Sequence, residues 1–301
     1  MPEAVGAAPV VPGGLALLRR LTRAAYRVRG VRRLTDFVRL RYARQGGRYR
    51  IEDFDGDVAM ELDLSEHLQS QIFWQGVYSP EEVALVGRLL GPEDTFLDIG
   101  ANVGEFVLKA AKLAPRGRVF GVEPAPHMFA ALTANLALNG FSHVVLRQLA
   151  LSTSEGEIDL YIPDTRRYGA GLQNTGIGNL FTTDGAGVKV TVPATTLDRF
   201  AAEESLERLD LIKLDVEGAE LLVLRGGEAT LRRLRPKILV EVNQVTCGWA
   251  GHTCAELTDF LVGLGYQLAC VRSGGRLEPY DAATARPLEN VLCTSDAGRP
   301  Q

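Results

Sequence analysis

Thr95-Phe-Leu-Asp-Ile-Gly-Ala-Asn-Val-Gly104 reads as a short buried strand running into a glycine turn and the start of a helix. Downstream, Val119-Phe-Gly-Val-Glu-Pro124 supplies a second apolar strand that ends in an acid. Strand, glycine turn, helix and acid-tipped strand, in that order, build a nucleotide pocket at the carboxyl edge of a parallel sheet. The glycine spacing, Asp98-x-Gly100-x-x-x-Gly104, lacks the G-x-G-x-x-G that folds backbone N–H groups around a pyrophosphate. An acid at the strand end repels phosphate and suits a cation. S-adenosylmethionine, with an ammonium, a sulfonium and a ribose, meets those demands better than NAD does.

The βα rhythm continues outward from this unit. Spacing predicts strands near 96–99, 118–122 and 144–148, separated by helices over 104–113 and 127–139. It resumes with strand 209–214, helix 219–234, strand 237–242, helix 254–264 and strands near 266–271 and 290–294. Between 152 and 193 the pattern turns hairpin-like, and the Gly/Thr/Asn-rich stretch 164–187 is a candidate substrate loop. Upstream, residues 48–80 alternate like strands, and Ser79-Pro80 opens a helix to Leu90. Three regions follow: a disordered leader over 1–14, basic helices with a β extension over 15–90, and the nucleotide-binding domain over 91–298.

The basic helices carry Leu17, Leu21, Ala25, Val28, Val31, Leu34 and Val38 at helical spacing, with arginines between them and Gly30 separating two segments. Such helices pack on a domain with a solvated face, or lie on an anionic membrane, or meet a phosphorylated substrate. A net charge of −4 argues against general nucleic-acid binding, and no apolar run has the length of a membrane span, so integral membrane association is not expected. Cys247, Cys254, Cys270 and Cys293 form no C-x-x-C pair, which fits core thiols in a reducing, cytoplasmic setting. A homo-oligomer is compatible with all of this.

Asp98, Gly100, Ala101, Asn102, Gly104, Glu123 and Pro124 are the candidate cofactor residues. Glycines allow close approach, and a carboxylate at 123 accepts from both ribose hydroxyls. A second cluster, Asp215-Val-Glu-Gly-Ala-Glu220, crowds three acids at the mouth of a strand, an arrangement that calls for a cation, a proton or a donor. Methyl transfer to a hydroxyl needs alignment and a base. Glu217 is the first candidate, with Asp215 beside it and His252 as the alternative. Asp215, Glu241 and Asn243 offer three hard oxygens and are a candidate Mg²⁺ set.

Taken together, residues 96–104, Val122-Glu-Pro124, Thr195-Thr-Leu-Asp198, Ile212-Lys-Leu-Asp-Val-Glu-Gly-Ala-Glu220, Ile238-Leu-Val-Glu-Val-Asn243 and Glu289-Asn-Val-Leu292 resemble the FkbM family of S-adenosylmethionine-dependent methyltransferases. The likeness runs from about residue 50 to about residue 295 and leaves out the arginine-rich start. It implies a Rossmann-like class I methyltransferase fold, a doubly wound and mostly parallel sheet of about seven strands with the last antiparallel. It also implies O-methylation of a small-molecule hydroxyl on a sugar, glycoside or polyketide-type natural product. By that resemblance Asp98, Gly100, Asn102, Gly104 and Glu123 line the cofactor site, with Asp215 and Glu217 between cofactor and acceptor. The competing readings are an NAD-dependent oxidoreductase, weakened by the missing third glycine, and a catalytically inactive nucleotide-binding protein of the same fold.

Overall fold

Residues 8–26, 32–163 and 187–295 are described by the structure, a computed structural model. They fall into two units. The candidate substrate loop and the first residues of the leader lie outside the described residues, as does Gly30.

The first unit contains α1 (Gly13–Tyr26), α2 (Arg32–Ala43), the antiparallel pair β1 (Arg48–Phe54) and β2 (Val58–Asp63), and α3 (His67–Gln75). Strand-like alternation thus ends at Asp63, and α3 corrects the expectation of strands up to residue 80. Ile72, Phe73 and Trp74 are all fully buried in succession. A strand would send alternate side chains to opposite faces, whereas a helix covered on most of its circumference buries all three. Gly76, at φ 92, ends the helix by returning its N–H to the Ile72 carbonyl.

The second unit follows as α4 (Pro80–Leu89), β3 (Thr95–Ile99), α5 (Glu105–Leu113), β4 (Arg118–Val122), α6 (Pro126–Ala137), β5 (Val144–Arg147), β6 (Ala150–Leu151), β7 (Gly156–Pro163) and β8 (Gly187–Thr195). It continues with α7 (Leu197–Glu203), β9 (Leu211–Leu214), α8 (Glu220–Gly226), α9 (Glu228–Leu234), β10 (Lys237–Asn243), α10 (Gln244–Trp249), α11 (Cys254–Gly263), β11 (Tyr266–Arg272), β12 (Arg276–Pro279) and β13 (Leu288–Ser295), with the last turns of α6, from Thr133, grouped with the first unit. The main sheet has the order β12-β11-β13-β10-β9-β3-β4-β5. Strands β10, β9, β3, β4 and β5 pair in parallel, and β13 runs antiparallel between β10 and β11. The mostly parallel sheet with β13 antiparallel is as expected, and the order reverses at β3, where open α/β sheets bind ligands. The short edge strand β12 makes eight strands instead of the expected seven.

Central strands β3 and β9 are buried at every position, so apart from Thr95, Asp98 and Lys213 they read as apolar runs instead of alternating ones. One face packs Phe96, Val107, Val119, Leu211, Leu239 and Leu292 under α4 and α5. The other packs Leu97, Phe120, Ile212, Leu224, Val240 and Leu261. Strands β6, β8 and β7 form a separate three-stranded sheet. The single helix expected over 219–234 is two, broken at Gly226-Gly227: a Cβ on Gly226 would stand 2.0 Å from the Ser152 carbonyl oxygen, and one on Gly227 2.5 Å from Leu197.

Candidate active site

The turn after β3 is dictated by backbone crowding. Gly100 has φ +87, and a Cβ there would lie 1.8 Å from the Asp215 carbonyl oxygen. Only glycine lets the β3 turn and the β9 turn approach so closely. The N–H groups of Gly100 and Ala101 both donate to the Val122 carbonyl at 3.0 Å, folding the turn against the end of β4. Gly104, at φ +100, opens α5 where a Cβ would press on Leu132 at 2.8 Å.

Glu123 sits at the end of β4, 7% exposed, and holds this turn in place. One oxygen accepts from the Asn102 N–H and the other from the Ala125 N–H, each at 2.8 Å. A carboxylate has about four acceptor positions, so one remains free on each oxygen for a pair of vicinal hydroxyls. Burial pushes its pKa up to about 7 against the pull of those two N–H groups. Asn102, at φ 50, spends its side-chain oxygen on the Val103 N–H at 2.9 Å instead of capping α5. Pro124 follows, half-buried.

Asp98 is the anomaly of the site. It is 1% exposed, and neither carboxylate oxygen has a hydrogen-bond partner. Burial, countered by Lys213 and reinforced by Asp215, Glu123 and Glu105, raises its pKa to about 7. A buried carboxylate without a donor is unfavourable and calls for a partner such as a bound cation. An aminoalkyl cation with an adjacent ribose fits this pair of acids, and a pyrophosphate does not.

The register carries the polar row across the sheet. Asp98 is level with Lys213, and Glu241 with Asn290. Val240 pairs with Leu214, so Glu241 is level with Asp215. Period two then places Asp98, Lys213, Asp215, Glu241 and Asn290 on one face. Lys213 is the internal counter-ion: its Nζ donates to Asp215 at 2.8 Å and lies 5.0 Å from the centre of the Phe106 ring. Burial lowers its pKa, but Asp215, Asp98 and Glu241 outweigh that and hold it above the usual lysine value, so it stays charged and is no base.

Of the three crowded acids, Glu220 is structural. Its buried carboxylate accepts from the Val216 N–H at 2.9 Å and the Gly218 N–H at 3.0 Å, clamping the turn after β9. Glu217, at φ 54, is held on that turn with its pKa raised by burial and by Asp215, Glu241 and Glu220. Glu241 is raised likewise by burial and by Asp215. His252 reaches the same turn, its Nε2 3.1 Å from the Gly218 carbonyl oxygen. A carbonyl only accepts, so Nε2 carries the proton, and buried Nδ1 has no partner.

Asp215, Glu241 and Asn243, the candidate Mg²⁺ set, are each engaged in hydrogen bonds within the protein. Asp215 is drawn to Lys213, Asn243 donates its amide to Glu241 at 3.1 Å, and the Asn243 oxygen caps α10 on the Val245 N–H at 3.0 Å. Among the described residues no group of three or more His, Cys, Asp or Glu side chains is placed to hold a metal ion. Sequence reasoning missed Glu82, whose buried carboxylate accepts from Asn290. The Glu289-Asn290 pair at the start of β13 was the available signal.

These raised carboxyls fix a sign for the pH dependence of stability. Asp98, Glu123 and Glu220 each titrate near about 7 when folded, above an unfolded value of about 4. The folded chain therefore binds more protons in that window, and the stability gained from protonation is lost as pH rises through about 7. Calorimetric melting of the ligand-free protein is expected to fall by about 5 °C or more between pH 5 and pH 8. A flat or rising Tm would contradict the burial of these acids.

A family model described as the methyltransferase FkbM domain matches residues 98–268, more than half of the chain. Methyltransferase sdnD of Sordaria araneosa is 34% identical over 173 residues, 50% of this chain and 67% of that protein. The AMB antimetabolite synthetase AmbE of Pseudomonas aeruginosa is 30% identical over 251 residues, 74% of this chain but only 11% of that longer protein. The 31-O-demethyl-FK506 methyltransferase FkbM of Streptomyces tacrolimicus is 28% identical over 199 residues, 59% of this chain and 76% of that protein. With the glycine turn, the acid-tipped β4 and the clamped acidic turn all inside the matched segment, the chain belongs to the FkbM methyltransferase family.

Proposed function

We propose that the protein is an S-adenosylmethionine-dependent O-methyltransferase acting on a hydroxyl of a sugar, glycoside or polyketide-type natural product. The observation that carries the reading is the unpartnered, buried Asp98 carboxylate beside a Glu123 with two acceptor positions left. When bound, the cofactor supplies an electrophilic methyl group. Asp98 meets its cationic part, Glu123 its ribose, and the Gly100 turn admits both. Glu217 takes the acceptor proton, Glu241 and Asp215 surround it, and Lys213 balances the charge. The Nδ1 of His252 is the alternative proton acceptor. An NAD-dependent reading has no group on the β3 turn to replace the missing glycine.

The acceptor is best sought among polyhydroxylated compounds. A cavity of about 360 Å³ lies beyond Asn290, lined by Glu81, Glu82, Arg276, Arg286 and Glu289, with Val271 and Leu288 among its few apolar walls. Asp215, Glu241 and Asn290 stand on successive strands, so the cavity begins about 10 Å from Asp215. Carboxylates and guanidiniums in alternation accept from and donate to a ring of hydroxyls. Replacing both Arg276 and Arg286 with Ala is expected to raise KM for a saccharide acceptor about tenfold with kcat nearly unchanged. An unchanged KM would move the acceptor elsewhere.

The reading is tested by incubating the protein with radiolabelled S-adenosylmethionine and a panel of glycosides and hydroxylated polyketides. Label in an alkali-stable ether supports it, and label on nitrogen or carbon contradicts it. With Asp215 paired to Lys213 and the Asn243 oxygen capping α10, turnover is expected to survive EDTA. Loss on chelation with recovery in Mg²⁺ would restore the metal.

A further inference from the structure

Helices α1 and α2 expose, beside their charges, large apolar side chains that an ordinary amphipathic pair would cover. Such helices bury an apolar stripe and expose their charges. On α1 the buried side chains are Arg19 and Thr22, while Leu17 and Leu21 are each 59% exposed. Arg19 is drawn inward by specific partners: its Nε donates to the Phe73 carbonyl at 2.8 Å, it pairs with Asp53 at 2.7 Å, and it lies over the Phe73 ring. With α1 anchored on α3 in this way, positions 17, 20, 21 and 24 project outward as Leu17, Arg20, Leu21 and Ala24. On α2, Arg39 donates to the His67 carbonyl and Tyr42 packs on Trp74 of α3. Leu34 and Phe37 are left 62% and 66% exposed beside exposed Arg33, Arg41 and Arg44. Asp36, half-buried, is the only acid between Arg19 and Arg50.

We propose that the outward faces of α1 and α2 dock peripherally on an anionic lipid bilayer. Leu17, Leu21, Leu34 and Phe37 enter the boundary between headgroups and acyl chains, and Arg20, Arg33, Arg41 and Arg44 meet lipid phosphates. Charge selects the occupant: exposed arginines with no exposed acid among them match an anionic surface, and interleaved apolar side chains need an apolar layer directly beneath the charge. A bilayer supplies both without sockets shaped to each side chain, and long guanidinium stems reach the headgroups while their neighbours insert.

The test is co-sedimentation of the full chain with phosphatidylcholine vesicles, with and without about 30 mol% phosphatidylglycerol. At about 0.1 M salt, binding to the anionic vesicles is expected to exceed binding to neutral ones by about tenfold, and to fall sharply at about 0.5 M. Leu21→Asp with Phe37→Asp, and separately Arg20→Glu with Arg33→Glu, are each expected to weaken binding about tenfold or more. Their circular dichroism, melting temperature and S-adenosylhomocysteine affinity should stay unchanged, since these side chains are exposed. Equal binding to both vesicle types, no binding at all, or binding that survives either pair of substitutions would overturn the proposal. So would a dimer that the Leu21→Asp, Phe37→Asp variant dissociates in protein that ignores lipid.

Discussion

Glu217→Gln is expected to lower kcat for methyl transfer by about 10² or more while leaving the Kd for S-adenosylhomocysteine within about twofold. Glu217 stands on the turn after β9 at φ 54, a left-handed conformation that non-glycine residues rarely adopt. That turn is held by the Glu220 carboxylate from one side and by His252 at the Gly218 carbonyl from another. Burial and the neighbouring charges of Asp215 and Glu241 raise its pKa well above the usual carboxylate range. A base must be ionised to act, so kcat should rise with pH through the neutral region and lose that limb in the Gln variant. If Glu241→Gln removed the limb and Glu217→Gln kept it, proton removal would belong to Glu241. His252→Ala separates the third candidate: loss of the limb with Glu217 intact would assign it to the imidazole.

Asp98→Asn is expected to separate stability from function. The ligand-free protein should melt about 2–4 °C higher at pH 8, because the variant removes a buried charge with no hydrogen-bond donor. Its affinity for S-adenosylhomocysteine should fall about 10²-fold, because on the proposed reading the carboxylate meets the cationic end of the ligand. The Tm gain should shrink towards pH 5, where Asp98 is already protonated, its folded pKa being about 7. A lower Tm together with unchanged affinity would make Asp98 a structural residue and leave the cation without a partner.

The geometry of the glycine turn and of the acid at the end of β4 was legible because its requirements are local. Gly100 and Gly104 answer to backbone crowding, and Glu123 follows directly from the end of β4. The acidic turn was legible only as a cluster. Three carboxylates in six residues carry no mark to show that Glu220 bonds backward to Val216 and Gly218 while Glu217 faces its neighbours. Glu82 was hard to place, because its partner Asn290 is 208 residues away and the two meet only once β13 inserts between β10 and β11. The Mg²⁺ trio looked more open in sequence than the structure leaves it. Asn243 looked like a free oxygen donor at a strand end, but the chain turns directly into α10, whose first N–H groups need a cap. Helix α3 was hidden by its burial, since Ile72-Phe-Trp74 carries no polar face to set a period.

The most direct test of the central claim is a crystal structure with S-adenosylhomocysteine bound. Both ribose hydroxyls are expected within hydrogen-bond distance of Glu123, the amino group on the Asp98 side of the Gly100 turn, and the thioether pointing towards Glu217 and Glu241. Adenosine bound away from the carboxyl ends of β3 and β4, with Asp98 and Glu123 both out of reach, would contradict the claim.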